Sequence, residues 1–212
     1  MKNFVFTCLA VCALSGQVIA QELTPISLRA PRTSGGTTIL EAFLHRQSTR
    51  VYTPEMLSEQ ELSDLLWAAN GINRPESQKR TAPSALNYQD VDIYVCLEKG
   101  AYRYDAIGNC LNPIVAEDLR PLVANGQDFV TSAPVVLVLT SDLSKMRGGD
   151  TESNRLIGAM DAGIVSENIS IACAGLGLAT VPRATMDKET LAQKLKLKST
   201  QILLLNHPVG HK

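Results

Sequence analysis

The sequence predicts one compact domain of the α+β or α/β class, with its helices and strands in one layer arrangement. Apolar residues alternate from Val91 to Leu97, and Lys99-Gly100 then turns into a second strand at 101–105, which predicts an antiparallel hairpin. The unalternated apolar run at 135–139 is typical of a strand that is covered on both faces. Two capping boxes of the form Ser/Thr-x-x-Glu predict helices earlier in the chain.

Composition and charge favour a small ligand. The 212 residues are 45% hydrophobic and 19% charged, which is enough to bury one substantial core. The 20 Lys and Arg residues nearly balance the 21 Asp and Glu residues, so the formal net charge is −1. The sequence therefore has no electrostatic footprint for nucleic acid and no polybasic run for a membrane surface.

The N-terminal segment, residues 1–20, is a predicted export signal. Lys2 supplies a short positive region, an apolar run follows at 4–14, and small or tolerated residues precede a cleavage point after Ala20. This pattern predicts a periplasmic or otherwise exported protein. The run is too short to span a bilayer, and no second apolar segment of about 18 residues is expected, so we predict no stable membrane insertion. A lipoprotein modified at Cys12 is the alternative.

Residues 21–37 are interpreted as an extended arm, because proline and glycine residues interrupt a polar segment. The predicted domain then spans residues 38–212. Outside the export signal the chain has three cysteines, Cys96, Cys110 and Cys173, without close spacing. Such a set forms neither a metal-binding motif nor a disulfide framework, so idle thiols are expected.

The predicted elements begin with two short helices. The capping box Thr38-x-x-Glu41 opens the first helix, which leads into the segment Arg46-Gln47-Ser48-Thr49-Arg50. The capping box Ser58-x-x-Glu61 opens the second, and Asn70-Gly71 ends it. Residues 73–90 are predicted to form a loop before the hairpin.

The second half of the chain is dominated by one long predicted helix at about 153–174, with apolar residues around much of its circumference. Such a helix must be buried on more than one side, by its own domain or by a second subunit. Before it, Asn112-Pro113 is expected to break the chain. The remaining predicted elements are a helix at 117–124, a strand at 178–181, a helix capped by Asp187 and a strand at 201–205.

The segment Arg46–Arg50 is the strongest candidate for a binding site. Its two guanidinium groups and one hydroxyl occupy positions i, i+2 and i+4, so they converge on one side where the chain is extended. A planar guanidinium makes bidentate, charge-assisted contacts with a phosphate or an electron-rich ring edge. The alternative is a solvated helix end whose arginines favour the helix dipole.

Three separated segments resemble the FMN-dependent nitroreductase family, nearest the branch that includes the thiazoline/oxazoline peptide dehydrogenases. They are Arg46–Arg50, then Leu65–Gly71 followed by Ala82–Asn87, and finally Glu167-Asn168 leading to Gly175–Leu178. Their order and spacing agree over about residues 38–210. The resemblance implies an α+β, three-layer α-β-α fold with a central, mainly antiparallel sheet. It also implies an intertwined homodimer with FMN in each of two clefts at the dimer interface.

The resemblance also implies roles for individual positions. Arg46 and Ser48 would hold the ribityl phosphate region, and Arg50 would lie toward the pyrimidine edge of the flavin. The loop at 83–87 would come from the partner subunit, and a backbone N–H within 182–185 would meet the flavin edge near N5. The implied cofactor-binding residues are Arg46, Gln47, Ser48, Arg50, Pro83, Ser84, Ala85, Asn87, Pro182, Arg183, Ala184 and Thr185.

Two departures from the family pattern limit this assignment. Many relatives continue past the last strand with basic residues that close on the phosphate, and here only Lys212 or Arg80 could replace them. Both side chains are expected to be solvated. Glu167 stands where Gln-Asn is the more familiar pair, and it receives no catalytic role.

The implied activity is that of an FMN-dependent oxidoreductase that passes electrons from a donor to a small acceptor, such as a quinone or a nitroaromatic, by a ping-pong mechanism. The flavin carries the chemistry, so no catalytic side chain is assigned. The sequence shows no Ser-His-Asp or metal-ligand arrangement, and His45, His207 and His211 are scattered. The alternatives are a dehydrogenase of a peptide heterocycle and a non-catalytic flavin-binding protein.

Overall fold

A computed structural model describes residues 23–212, so the predicted export signal lies outside the described residues. Short single-turn 3₁₀ segments connect some of the elements. The strands are β1 (Ile26–Ser27), β2 (Ile72–Arg74), β3 (Lys79–Arg80), β4 (Val91–Leu97), β5 (Gly100–Asp105), β6 (Cys110–Val115), β7 (Val135–Asp142), β8 (Ala179–Thr180) and β9 (Gln201–Gly210). The α-helices are α1 (Ile39–His45), α2 (Glu59–Asn70), α3 (Arg120–Ala124), α4 (Phe129–Ser132), α5 (Glu152–Gly175) and α6 (Lys188–Lys194).

The central sheet has seven strands in the order β1-β6-β5-β4-β7-β9-β8, and every neighbouring pair is antiparallel. Helices cover both faces. On one face α2 and α5 pack over Val135, Leu137 and Leu139 of β7, and on the other α3, α4 and α6 pack over Val136 and Val138. The predicted α+β class with a central antiparallel sheet is therefore confirmed. The homodimer stays a prediction.

The predicted capping boxes define the starts of α1 and α2. At each start the hydroxyl of Thr38 or Ser58 accepts the N–H of the residue three positions later. The glutamate at that position, Glu41 or Glu61, accepts the cap residue's own N–H in return. Each box satisfies backbone donors that the first helical turn leaves unpaired.

Two strands contain a proline where the sequence predicted no strand. Asn112-Pro113 was predicted to break the chain, but it lies inside β6. The prediction was wrong because β1 pairs only with Cys110 and Leu111, and the register between β5 and β6 shifts opposite Pro113. Proline is tolerated at such an open edge or bulge. Strand β9 likewise continues through Pro208 to Gly210, five residues beyond the predicted end at 205.

Three smaller elements lie in segments that were predicted to be irregular or were not assigned. The arm at 21–37 contributes β1, which adds a short edge strand beside β6. The predicted loop at 73–90 includes the β2–β3 hairpin and ends with a single 3₁₀ turn at Ala85–Asn87. Helix α4 is one turn long, below the length at which periodicity is informative.

Helix α5 is the main packing element on its face of the sheet. It contacts α1, α2, β7 and β9, and it buries Ala162, Val165 and Ile169. The helix is also long and apolar enough to cross a membrane, with a mean hydropathy of 1.3 over 18 residues. The expectation that no second apolar segment of this length exists was therefore wrong. Its packing against the sheet and α2 is that of a core helix.

Candidate functional site

The segment 46–50 leaves α1 and runs as an extended chain beside the edge strand β8. Arg46 donates its N–H to Ala42 and then turns out of the helix with φ −59° and ψ 120°. Ser48 forms a parallel bridge with Thr180, and the Thr49 N–H donates to the Thr180 carbonyl at 2.9 Å. Because side chains alternate along an extended chain, Arg46, Ser48 and Arg50 share one side of the segment.

The arginines of this segment are available to a ligand. Arg46, Ser48 and Arg50 are exposed. In the part of the chain that the structure describes, neither guanidinium group forms a salt bridge. Arg46 is the C-cap of α1, whereas Ser48 and Arg50 lie beyond the end of the helix, so the helix-end alternative applies to Arg46 alone. The convergence predicted from their spacing is therefore present in the backbone.

Tyr52 anchors the C-terminal end of the segment. Its buried ring packs at the end of the sheet, and its hydroxyl donates to the Thr49 carbonyl at 2.7 Å. Burial raises the pKa of the Tyr52 hydroxyl well above its usual range, so the group remains a neutral donor. The Thr53 N–H donates to the His211 carbonyl at 3.0 Å, which ties the chain to the end of β9.

The other side of the segment, which carries Gln47 and Thr49, faces a cavity of about 240 Å³. Gln47 and Thr49 line it on one side, and Thr180 and the C-terminal turns of α5 line it on another. Lys212 lies at this cavity and is exposed, in agreement with its expected solvation. Cys173 also lines it, but burial raises the pKa of that thiol far above its usual range, so it does not form a reactive thiolate.

The segment 182–185 follows β8 and alternates between inward and outward residues. Pro182, Ala184 and Thr185 are exposed, whereas Arg183 is buried. The Arg183 N–H donates to the Asn206 carbonyl at 2.9 Å and its carbonyl accepts the Asn206 N–H at 2.7 Å. Because the Arg183 N–H is bonded to Asn206, it is not free to bind a ligand. Ala184 and Thr185 have N–H groups without a backbone acceptor among residues 23–212.

The Arg183 side chain is also held internally. Its guanidinium donates to Asn206 Oδ1 at 2.6 Å and to Gln127 Oε1 at 3.1 Å. It also donates to the carbonyls of Val123 and Ala124, at the C-terminal end of α3. These carbonyls have no partner within the helix, so a cation stabilises the helix end. Of the residues predicted at 182–185, Arg183 therefore holds the segment in place.

The loop at 83–87 lies against the N-terminal half of α5. The N–H of Ala85 donates to both carboxylate oxygens of Asp161, at 3.0 and 3.2 Å. Leu86 and Asn87 have positive φ angles of 48° and 56°, and Leu86 is 85% exposed. Among the described residues, no hydrogen bond joins this loop to segment 46–50 or 182–185. One protomer therefore brings segments 46–50 and 182–185 together, and the 83–87 loop lies apart from both.

The structure also shows the surroundings of Arg80 and Glu167, two residues connected with the departures from the family pattern. Arg80 was expected to be solvated, but it is partly buried and donates to the Asn70 carbonyl at 2.9 Å and to Gln89 Oε1 at 3.1 Å. That expectation was wrong because the β2–β3 hairpin folds the arginine onto the end of α2. Glu167 is exposed on α5. Asn168 beside it donates to the Ala69 carbonyl at 3.2 Å and joins α5 to α2.

His207 is a structural residue of the site that sequence reasoning missed. It is fully buried between Ser166 Oγ, 2.7 Å from Nε2, and Thr180 Oγ1, 3.2 Å from Nδ1. Because Thr180 Oγ1 donates to the Pro208 carbonyl, Nδ1 is assigned as the donor to Thr180 and Nε2 as the acceptor from Ser166. Burial lowers the pKa of His207 to about 3, so the ring is neutral. No local pattern marks this histidine, since its partners are remote in sequence.

A larger cleft of about 690 Å³ lies on the other side of Tyr52. Residues from the start of α2, the β4–β5 turn and the start of β7 line it. None of the twelve predicted cofactor-binding residues lies among its lining residues. The candidate site is therefore the edge of the sheet at β8, where segments 46–50 and 182–185 meet, and this cleft is a separate feature.

Comparisons with known proteins agree on one family. The profile of the Nitroreductase family matches residues 44–211. A protein of Methanocaldococcus jannaschii named as a nitroreductase is 30% identical over 182 residues, which cover 81% of this chain and 90% of that protein. An NAD(P)H-dependent FMN reductase of Bacillus subtilis is 24% identical over 187 residues, covering 82% of this chain and 65% of the reductase.

A solved structure gives the same result at the level of the fold. The crystal structure of a protein of Ralstonia eutropha JMP134, described as a nitroreductase, superposes with a TM-score of 0.82 at 34% identity. The match covers 88% of this chain and 89% of that one. The comparisons give no support for the narrower thiazoline/oxazoline dehydrogenase branch.

The internal role of Arg183 predicts a loss of stability on substitution. We expect Arg183→Met to lower the free energy of unfolding by about 3 kcal/mol, because Asn206 Oδ1 and the carbonyls of Val123 and Ala124 each lose a charged donor. Urea unfolding measures the change. Arg147→Met is the control, since Arg147 is exposed and should change stability by less than about 0.5 kcal/mol. Equal midpoints for the two variants would contradict the structural role.

Proposed function

The chain belongs to the nitroreductase family, and we propose that it is an exported, FMN-dependent oxidoreductase that passes electrons from a donor to a small acceptor by a ping-pong mechanism. That it is an oxidoreductase follows from the family. The proposal adds the cofactor, the acceptor class, the compartment and the assembly. A quinone or a nitroaromatic is the acceptor that we propose.

The observation that carries this proposal is the backbone junction at Thr180. It places the exposed side of segment 46–50 next to the outward residues of segment 182–185 within one protomer. The first segment offers two guanidinium groups and a hydroxyl, and the second offers the N–H groups of Ala184 and Thr185. A ligand with a phosphate at one end and a planar, hydrogen-bonding ring at the other matches this set.

The described residues fit FMN. Arg46 and Ser48 would hold the phosphate, and Arg50 would lie near the pyrimidine edge of the ring. The exposed N–H groups at 184 and 185 would meet the ring edge near N5. FMN, when bound, supplies the hydride and electron chemistry. The chain's own contribution is to bind the phosphate, to orient the ring and to leave one ring face open for donor and acceptor in turn.

Lys212 supports the phosphate end of this assignment. It is exposed at the cavity lined by Gln47 and Thr49, on the opposite side of the extended segment from Arg46 and Ser48. A flexible side chain with an exposed cation can reach a phosphate without a change in the backbone. We propose Lys212 rather than Arg80 as the additional cation, because the Arg80 guanidinium is already bonded to Asn70 and Gln89.

A homodimer would complete the site and cover exposed apolar residues. Helix α1 buries only Ala42, and Ile39, Leu40, Phe43 and Leu44 are each more than half exposed. Leu156 and Met160 on α5 are 59% and 58% exposed. Exposed apolar clusters of this kind mark interaction surfaces. Pairing across α1 and α5 would bring the partner's 83–87 loop, with Pro83, Ser84, Ala85 and Asn87, to the ring.

The proposed export affects which electron donor can reduce the protein. If the chain crosses the membrane unfolded, FMN is captured outside the cytoplasm, where nicotinamide donors are scarce. We therefore propose a donor other than NAD(P)H, and rapid turnover with NADH would contradict this part. N-terminal sequencing of the mature protein tests export itself, with Gln21 as the expected first residue.

The first experiment is an absorption spectrum of the purified protein, followed by FMN titration of the apoprotein. We expect bound FMN and reductase activity on a quinone or a nitroaromatic. Colourless protein that takes up no added FMN would contradict the proposal. Oxidation of a heterocyclic peptide without an added reductant would favour the peptide dehydrogenase, and FMN binding without turnover by any donor would favour a binding protein.

Two arginine variants test the orientation of the flavin. Arg46→Met should weaken FMN binding about tenfold to a hundredfold but riboflavin binding much less, because riboflavin has no phosphate. Arg50→Met should weaken both ligands by similar factors. Quenching of flavin fluorescence measures both dissociation constants. Arg103→Met, an exposed arginine on β5, is the control. Equal losses of FMN and riboflavin in Arg46→Met would contradict the phosphate assignment.

The proposed dimer predicts a change in assembly on charge insertion. Phe43→Glu should convert a dimer into monomers, because burying an unpaired carboxylate at an apolar interface is costly. Light scattering after gel filtration measures the mass. Ile107→Glu is the matched control, because Ile107 is 67% exposed at the β5–β6 turn, away from α1 and α5. A wild-type monomer, or a dimer that persists in Phe43→Glu, would contradict this interface.

A further inference from the structure

Two acidic residues lie close together beneath the 83–87 loop. Asp161 on α5 is 4% exposed, and Asp90, at the end of the loop segment, is fully buried. Asp161 lies one helical turn beyond Gly158, and a Cβ atom at Gly158 would be 3.6 Å from Asp90 Oδ2. Two carboxylates in direct contact repel each other, so such a pair is held together when one member carries a proton.

The surroundings provide no cation to neutralise the pair. Ser141 of β7 donates its hydroxyl to Asp90 Oδ2 at 2.5 Å, and Asp90 Oδ1 has no hydrogen-bond partner among the described residues. No salt bridge within residues 23–212 involves either carboxyl group. Lys145 is turned to the Gln89 carbonyl and to Asp92. Asp90 is thus the acidic group that faces Asp161.

Close packing fixes the pair in place. Gly158 lies one helical turn before Asp161, and a Cβ atom at that position would collide with the side chain of Ser141. The absence of a side chain at Gly158 lets α5 approach β7 closely enough for the two acids to meet. Burial and contact with Asp90 raise the pKa of Asp161 to about 6, against the opposite effect of the Ala85 N–H.

The loop above the pair depends on one hydrogen bond. Within 84–89, Ser84 accepts the N–H groups of Asn87 and Gln89, and Ala85 accepts that of Tyr88. Residues 85–87 form the apex of the loop. Among the described residues, the bond from the Ala85 N–H to Asp161 is the only hydrogen bond that joins this apex to another helix or strand. The positive φ angles at Leu86 and Asn87 disfavour this loop shape for free chain. A contact outside the loop must therefore maintain it.

We propose that Asp161 is a positioning residue for the flavin-contacting loop. Its carboxyl group accepts the Ala85 N–H and, when protonated, donates to Asp90, so the loop is fixed at acidic pH. When Asp161 loses its proton to solvent, repulsion from Asp90 displaces it and the loop loosens. The role of the loop at the flavin rests on the proposed function, whereas the dependence of the loop on Asp161 does not.

The sign of the pH effect follows from linkage. Asp161 prefers its protonated form in the native structure, so its contribution to stability is fully present below its unfolded pKa, near 4. That contribution is lost as pH rises through about 6. His207 acts in the opposite direction, because its lowered pKa reduces stability as pH falls below the unfolded value of about 6.5. The two effects overlap, so the test compares variants at each pH.

The variant Asp161→Asn keeps the hydrogen bonds of the side chain but removes its ability to ionise. The asparagine carbonyl can still accept the Ala85 N–H and its amide can donate to Asp90, so this variant reproduces the protonated pair at every pH. Asp161→Ala removes both bonds. Asp150→Asn is the matched control, since Asp150 is an exposed acid next to the start of α5 that pairs with Arg155.

Hydrogen exchange of the Ala85 amide in the apoprotein is the first measurement. From about pH 5 to about pH 7.5 we expect its protection factor, corrected for intrinsic rates, to fall about tenfold in wild type and in Asp150→Asn. It should change less than about twofold in Asp161→Asn and be low at both pH values in Asp161→Ala. Equal protection in wild type and Asp161→Ala, or equal pH dependence in wild type and Asp161→Asn, would overturn the proposal.

FMN binding is the second measurement. The phosphate of FMN itself titrates near pH 6, but it does so equally for every variant. The ratio of the wild-type dissociation constant to that of Asp161→Asn should therefore rise about tenfold from about pH 5 to about pH 7.5. A constant ratio despite tight FMN binding would refute the coupling and leave the proposed function intact. Absence of FMN binding in every variant would refute the proposed function, and amide exchange would still decide the role of Asp161.

Discussion

The backbone of Thr180 is the junction on which the candidate site depends. Strand β8 is two residues long, yet Thr180 pairs with Val209 of β9 on one side and with segment 46–50 on the other. Its side chain is held between His207 and the Pro208 carbonyl. A short edge strand has few hydrogen bonds of its own, so its position is set by these buried partners. The neutral His207 therefore fixes the place where segment 46–50 attaches.

Neighbouring residues of the two segments have different roles because side chains alternate in direction along an extended chain. In segment 182–185 the buried Arg183 satisfies the end of α3 and Asn206, and this leaves Ala184 and Thr185 turned outward. In segment 46–50 the side chains of Gln47 and Thr49 line a cavity. Arg46 and Arg50 are exposed and form no salt bridge among the described residues. In both segments, neighbouring side chains lie on opposite sides of the chain.

Two features of the protomer support the proposed second subunit. The 83–87 loop bonds to the N-terminal half of α5, whereas segment 46–50 lies by its C-terminal turns. The loop exposes Leu86 in a conformation that few non-glycine residues adopt. Helix α1 leaves most of its apolar side chains uncovered. A fold seldom maintains strained and exposed apolar groups without a compensating contact. The acid pair beneath the loop supplies one such contact, and a second subunit would supply the other.

The sequence alone determined the features that depend on local patterns. Capping boxes located α1 and α2, the unalternated run at 135–139 located the buried strand β7, and the spacing within 46–50 indicated one converging side. Only the tertiary structure decided that β6 passes through Pro113, because that required an open edge beside the proline. It likewise decided that Arg183 points inward and that Asp161 meets Asp90, since their partners come from elements remote along the chain. Periodicity reports which face of an element is apolar, but it carries no information about which distant polar group will lie opposite.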